Sequence, residues 1–307
     1  MLIASLIPLI QQPEGMAGAV LLLRNRYDLR GIFLFWSMVL RLAAIALTAH
    51  DGLLWLFAAI VLAQAISTLS VGSVGWVGYR RYPRTAPVPL GDDAPAIRNF
   101  AVQSSVASGL ASLRTSLPTV LVGTVTTLDQ VADFRAAQAP QTAFQSLSAP
   151  ARLVLLAEQT RDIEHGRLEK AQQLLRRYIV ATTAIVVVVA PIVWIFMPTL
   201  VRIFYKEQYV PATDAFRVML LVACVQLVFG WSKTYPVSIG RPGLRTAGQV
   251  LEIAVLVPGV LVLGAAYGAT GAAGGVLAGA VALGLFWVGG LLWLRGRPLP
   301  GMVRATG

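Results

Sequence analysis

Long apolar blocks alternate along the chain with short stretches rich in arginine, glycine and proline. The blocks over residues 179–197 and 244–267 are longer and more uniform than the strands of a membrane barrel. A bilayer core about 30 Å thick is crossed by roughly 20 apolar residues of helix, and in hydrocarbon only helices and closed barrels satisfy every backbone polar group. The pattern therefore predicts an all-α membrane protein, a polytopic helical bundle.

The apolar pattern predicts a partial N-terminal lobe over residues 1–79, made of a stub and two transmembrane helices at 31–50 and 53–79. Residues 80–98 contain several prolines, arginines and an Asp-Asp pair, which favours a cytoplasmic linker. Residues 99–294 are predicted to form a complete lobe of six transmembrane helices, followed by a cytoplasmic tail over 295–307. The six predicted spans are 99–124, 129–160, 171–197, 211–239, 243–267 and 269–294.

The span over 129–160 is the most polar, because it contains Asp133, Arg135, several glutamines and two internal prolines. A helix of this composition is stable in a membrane only when it faces other helices or a wet cavity. In the last span, Gly271, Gly275 and Gly279 recur at four-residue spacing. This stripe predicts close packing against a neighbouring helix.

Composition agrees with a membrane protein, with 56% hydrophobic residues, 13% charged residues and a mean hydropathy of +0.70. The net charge of +11 lies in short clusters between apolar blocks. If successive spans alternate direction, most Lys and Arg fall on one side, and only Arg202 and Lys206 lie in loops on the other. The positive-inside rule then predicts a multi-pass inner (plasma) membrane protein with a cytoplasmic C-terminus, in contact with membrane lipids and without a nucleic-acid partner.

The sequence offers little for enzymatic chemistry. It contains one cysteine, Cys224, and two histidines, and it lacks HExxH, GxxxxGK[ST] and GxSxG motifs. We therefore expect no catalytic residues, no metal site and no cofactor.

Six basic residues, including Arg217 and Lys233, fall inside predicted spans, and four arginines among them are the candidate binding residues. A charge at bilayer depth costs at least about 2.5–3.5 kcal/mol, so such residues are paired or line a polar cavity. Arg114 lies near the middle of its span, Arg135 and Arg152 lie nearer the ends of theirs, and Arg41 lies in the N-terminal lobe. One interpretation is a cationic cavity for an anionic substrate, since guanidinium groups bind phosphate oxygens in pairs.

The alternative interpretation is internal ion pairing. Asp133, Glu158 and the nearby Asp129 are available as partners for the arginines, and Glu252 is a candidate partner for Lys233. Gln138, Gln141 and Gln145 share one helix face. Their amides are suited equally to sugar hydroxyls and to neighbouring helices.

Several stretches carry a resemblance to a known family. They are Asp-Gln-Val-Ala-Asp-Phe-Arg-Ala-Ala-Gln at 129–138, Pro150, the basic run at 166–177, Phe-Tyr-Lys-Glu-Gln-Tyr at 204–209 with Ala212, Gly240-Arg241, and Arg-Asn-Arg-Tyr-Asp at 24–28. Together they resemble the polysaccharide-biosynthesis (lipopolysaccharide O-antigen) flippases of the multidrug/oligosaccharidyl-lipid/polysaccharide (MOP) superfamily, which includes the MATE transporters.

This resemblance implies a MATE/MOP-like, two-lobed bundle whose central cavity carries an undecaprenyl-diphosphate-linked oligosaccharide to the outer leaflet. It implies that Arg114, Arg135, Arg152 and Arg41 attract the diphosphate, with Gln138 and Gln141 beside them, and that polymerase or glycosyltransferase machinery is a partner. The family's first lobe has as many helices as its second. We therefore expect the native gene to encode further N-terminal helices.

Three other functions fit parts of the pattern. A cation-coupled drug exporter of the same superfamily would require buried carboxylates rather than buried arginines. A polymerase or ligase acting on lipid-linked sugars would require a large outer loop, whereas the predicted outer loops at 50–52, 125–128, 198–210 and 268–270 are short. An inactive, truncated fragment of a flippase is the third alternative.

Overall fold

The computed structural model of the protein describes residues 10, 14–15, 17–21, 26–48, 50, 52–81, 91–205 and 207–294. The chain divides into two compact units, Met1–Pro89 and Leu90–Gly307. Residues 82–90 of the predicted linker lie outside the described residues. The second unit begins earlier than residue 99, with a 3-10 turn at Gly91–Asp93 and a helix from Ala94. Pro95 lies in the first turn of that helix, where its missing N–H costs no intrahelical bond.

The first unit contains two long helices, α1 (Tyr27–Thr48) and α2 (Leu53–Arg80), which agree with the spans expected at 31–50 and 53–79. They pack against each other around buried side chains of α2 that include Gln64, Ser67 and Val71. The short connection contains Gly52 at φ 96°, a left-handed conformation that favours glycine.

The second unit is built from helices of very different lengths. They are α3 (Ala94–Val125), α4 (Leu128–Ala137), α5 (Ala139–Glu164), α6 (Leu168–Tyr205), α7 (Thr213–Val228), α8 (Tyr235–Ser238) and α9 (Pro242–Leu294), with 3-10 turns at Glu207–Ala212 and Gly230–Lys233. The described residues contain no strand.

The span expected over 129–160 is two helices rather than one. Helix α4 ends at Ala137 and α5 begins at Ala139, with Gln138 forming the junction. A helix that ran uninterrupted through Pro140 would lose a backbone hydrogen bond and clash with the carbonyl four residues earlier, whereas the first turn of α5 accommodates the proline. The break therefore follows from the proline, and it separates the predicted site residue Arg135 from Gln141.

Helix α9 contains the last two predicted spans joined at Gly268, whose φ of 61° and ψ of −139° interrupt the helix. The two halves fold back on each other, because Gly275 approaches Gly259 and Gly279 approaches Leu256. A Cβ added at Gly275 would collide with the backbone of Val260. The glycine stripe is therefore a helix-packing feature, as its spacing predicts.

The packed interior of the second unit consists of two clusters. The larger joins residues of α3, α4, α6, α7 and α9 around Phe134, Met219 and Leu256. The smaller is aromatic, with the rings of Trp231 and Trp287 at 5.3 Å in an edge-to-face arrangement. It lies beside the charged residues of the candidate site.

Five helices of the described residues are long and apolar enough to cross a membrane, judged by length and composition. They are Asp28–Thr48, Leu54–Arg80, Leu168–Tyr205, Glu207–Val228 and Pro242–Leu292, the last of which holds both halves of α9. Helices α3 and α5 are not among them. Their weaker apolar character agrees with the polar residues that they place in the candidate site.

Candidate functional site

A buried ion pair joins α3 to the first half of α9. Arg114 Nη1 donates to Glu252 Oε1 at 2.9 Å, and only 8% and 2% of the two side-chain surfaces are exposed. Arg114 is therefore buried among the packed helices, with a carboxylate as partner. The sequence suggested Glu252 as a partner for Lys233 instead.

Two further basic residues share this location. Lys233 of the 3-10 turn and Arg245 of α9 line a small cavity of about 20 Å³ together with Arg114 and Glu252. Gln249, Ser232 and Trp287 also line it. The described lining therefore contains three basic side chains and one carboxylate, an excess of positive charge in the interior of the unit.

Arg152 of α5 adds a cation within electrostatic reach of Arg114 and Lys233. It is half-buried, and its guanidinium donates to Ser148 Oγ and, at 3.3 Å, to the Gln145 carbonyl oxygen. Both partners are neutral, so the charge of Arg152 is not balanced by a hydrogen-bonded carboxylate within the part of the chain that the structure describes. Arg152 differs in this respect from Arg114, whose charge is balanced by Glu252.

The glutamine face of α5 is connected to this network. Gln141 and Gln145 donate to the same atom, Gln226 Oε1 of α7, at 3.0 and 2.7 Å. Of the two interpretations left open by the sequence, the structure shows these amides bonded to a neighbouring helix. Gln226 was not identified from the sequence, although an amide within an apolar stretch was the available signal.

Arg135 and Gln138 form a second, separate group at the α4–α5 junction. Arg135 is exposed and donates to Gln138 Oε1 at 3.3 Å, and Gln138 donates in turn to Thr119 Oγ1 of α3 at 3.3 Å. Asp133, the partner considered from the sequence, forms no salt bridge among the described residues, and Glu158 pairs with Arg161.

Arg41 lies in the first unit, where its guanidinium donates to Gln64 Oε1. Gln64 is fully buried, and its amide donates to Glu14 Oε2 at 2.9 Å and to Thr68 Oγ1 at 3.1 Å. Arg41 is thus connected to a carboxylate through one amide. The network gives the buried amide of Gln64 the hydrogen-bond partners that a buried polar group requires.

The chemistry available at the second unit's site is anion binding. Guanidinium and ammonium groups donate charge-assisted hydrogen bonds and bind phosphate oxygens. The described residues contain no cluster of His, Cys, Asp or Glu that could hold a metal ion.

These features define the class of the protein as a multi-pass helical membrane bundle. No protein-family model and no curated protein matches the sequence. The chain is similar in fold to a crystal structure of a MATE mutant, with a TM-score of 0.72 and 14% identity over 94% of this chain and 67% of the other. It is also similar to a MATE protein in complex with MaL6, with a TM-score of 0.65 and 14% identity over 86% of this chain and 62% of the other.

The likeness shows that the chain has the helical fold of these MATE structures, which confirms the MATE-like fold that the resemblance implied. The chain spans about two thirds of the length of these structures. At this identity the likeness concerns the fold alone.

Proposed function

We propose that the protein is a flippase that moves a polyprenyl-diphosphate-linked oligosaccharide across the inner membrane for the synthesis of cell-surface polysaccharide. The observation that carries the proposal is the excess of positive charge inside the second unit, where Arg114, Lys233 and Arg245 share a cavity with a single described carboxylate. Burying charge without balance is unfavourable. A substrate that brings negative charge would relieve that cost.

Arg152 is the residue best placed to contact such a substrate. Its hydrogen-bond partners, Ser148 and Gln145, are neutral, so the full charge of the guanidinium remains available to an incoming anion. A guanidinium can bind two phosphate oxygens at once, which favours a phosphate or diphosphate over an isolated negative charge.

The fold is also compatible with export of cationic drugs, which would require a carboxylate free to receive a cation. Among the described side chains, Glu252 is the only buried acidic residue, and Arg114 already pairs with it. Flipping of an anionic lipid therefore agrees better with the charge of this interior than export of a cation does.

The direct test is reconstitution of the chain into proteoliposomes that contain a fluorescent polyprenyl-diphosphate oligosaccharide, with the fraction exposed to an external quencher measured over time. We expect the wild-type chain to flip the lipid and Arg152→Gln to flip it at least roughly tenfold more slowly, the loss expected for one charged hydrogen bond. Arg177→Gln, in an exposed basic segment of α6, is the matched control and should leave the rate unchanged. No flipping by the wild-type chain, or equal rates for wild type and Arg152→Gln, would contradict the proposal.

The same proposal assigns the chain to the inner membrane with a cytoplasmic C-terminus, based on the distribution of Lys and Arg between loops. Reporter fusions to the C-terminus test this orientation. A reporter that is active only in the periplasm should be inactive there.

A further inference from the structure

The carboxylate of Glu252 lies where an anionic ligand of the cationic site would lie. It is 1% exposed, and it shares the cavity with Arg114, Lys233 and Arg245. Its Oε1 accepts from Arg114, whereas Oε2 has no hydrogen-bond partner among the described residues. One oxygen is therefore held and the other remains able to accept a bond.

We propose that Glu252 is an internal counter-ion that occupies a phosphate-binding site formed by Arg114, Lys233 and Arg245, and that the substrate's diphosphate displaces it from Arg114. This inference rests on the proposed function. It adds Lys233 and Arg245 as binding residues and Glu252 as the residue that sets the affinity of the site.

The first reason is that Glu252 has other cations beside it. Lys233 and Arg245 line the same cavity, and Arg245 Nε is a buried donor with no partner in the described part of the chain. A carboxylate that leaves Arg114 can therefore be received by Arg245 without entering hydrocarbon, which leaves Arg114 and Lys233 to the phosphate. The exchange replaces one buried ion pair with another, which avoids the large cost of leaving a charge unpaired.

The second reason is size. A cavity of about 20 Å³ has room for about one water molecule, so a phosphate group enters only when the Glu252 side chain moves. The backbone at Glu252 is held in place, because Gly279 of the second half of α9 packs against the Glu252 carbonyl oxygen. Displacement therefore begins with a rotation of the Glu252 side chain rather than with a shift of its own backbone.

The third reason is that Arg114 can bind substrate although it is already paired, if the diphosphate competes with Glu252 for its guanidinium. While Glu252 occupies Arg114, the site has a low affinity for free phosphate. A diphosphate brings more negative charge than one carboxylate and can contact Arg114 and Lys233 together, so it competes where a single charge does not.

The test is titration of the purified chain in detergent with inorganic diphosphate at low ionic strength, followed by calorimetry. Glu252→Gln removes the competitor and should bind diphosphate roughly tenfold more tightly than wild type, within the usual range of coupling between two sites. Lys233→Met removes a binding cation and should bind roughly tenfold more weakly. The controls Glu207→Gln and Lys170→Met change exposed charges and should leave the affinity unchanged.

The outcomes separate the inference from the proposed function. If the wild-type chain flips the lipid but Glu252→Gln binds diphosphate no more tightly than wild type, the counter-ion role is wrong and the flippase proposal stands. If neither wild type nor Glu252→Gln binds diphosphate, the phosphate site itself is wrong. If Glu252→Gln does not fold, Glu252→Asp serves instead, because the shorter carboxylate reaches Arg114 less well and should raise the affinity several-fold.

A membrane phospholipid is the other source of a phosphate group for this site. Micelles containing phosphatidylglycerol distinguish it from the substrate. If the added phospholipid abolishes diphosphate binding by Glu252→Gln, a membrane lipid is the natural occupant and the assignment to substrate is overturned. Binding that persists in these micelles supports the assignment to a diphosphate.

Discussion

The Arg114–Glu252 ion pair predicts a large and asymmetric loss of stability when either partner is replaced. At 2.9 Å and an effective dielectric constant of about 20, the attraction is roughly 6 kcal/mol before desolvation is counted. Removing one partner of a buried pair typically costs about 3–5 kcal/mol, because the other charge remains buried and unpaired. Both side chains are almost fully buried, so solvent does not screen the interaction.

The surroundings determine which replacement costs more. Arg114→Met leaves Glu252 beside two other cations, Lys233 and Arg245, which can take over as partners. Glu252→Gln leaves three basic groups around the cavity without the described carboxylate. We therefore expect Glu252→Gln to be the more destabilising of the two, and the double variant to lose at least about 2 kcal/mol less than the sum of the single losses.

The assay is unfolding in mixed micelles with increasing sodium dodecyl sulfate, followed by tryptophan fluorescence, to which Trp231 and Trp287 near the pair contribute. The control cycle uses Arg202→Met and Glu207→Gln on an exposed pair at 3.0 Å, for which the coupling should stay below about 1 kcal/mol. Additive losses at Arg114 and Glu252, or a coupling no larger than that of the exposed pair, would refute the reasoning.

The same titration checks two further predictions. Gly275→Ala places a Cβ against the Val260 backbone and should cost about 1–3 kcal/mol, whereas Gly274→Ala, whose Cβ would meet only Leu263 Cδ1 at 3.6 Å, should have little effect. Gln130→Ala removes the oxygen that accepts the Ala269 N–H at 2.7 Å, and should cost roughly 1 kcal/mol by weakening the α9 turn.

The long helices could be predicted from the sequence because bilayer thickness imposes a minimum apolar length. Helices α1, α2 and α6 agree with continuous apolar blocks at these places. The break at Gln138 was not predicted, since residues 129–160 were treated as one polar span. Pro140 was the available signal, because a proline in the first turn marks the start of a helix as readily as a kink within one.

The site was predicted only in part, because the sequence indicates which charged residue is buried but not which residue it pairs with. The position of Arg114 in its span indicates that it is buried, but its partner lies 138 residues away on another helix. Arg245 lies near the start of the span predicted over 243–267 but was not among the candidate binding residues. Helix α9 begins at Pro242, so Arg245 is in the helix and lines the cavity.

The glutamines of α5 show why packing and binding need not be alternatives. Gln226 Oε1 accepts from both Gln141 and Gln145, which uses both of its lone pairs and fixes α5 against α7. The backbone carbonyl of Gln145 in turn accepts from Arg152. The amides that join the helices therefore also hold the segment that orients the guanidinium. We expect Gln226→Leu to slow flipping of the lipid as Arg152→Gln does while remaining as stable as wild type in the micelle titration. A stable Gln226→Leu variant that flips the lipid at the wild-type rate would contradict this positioning role.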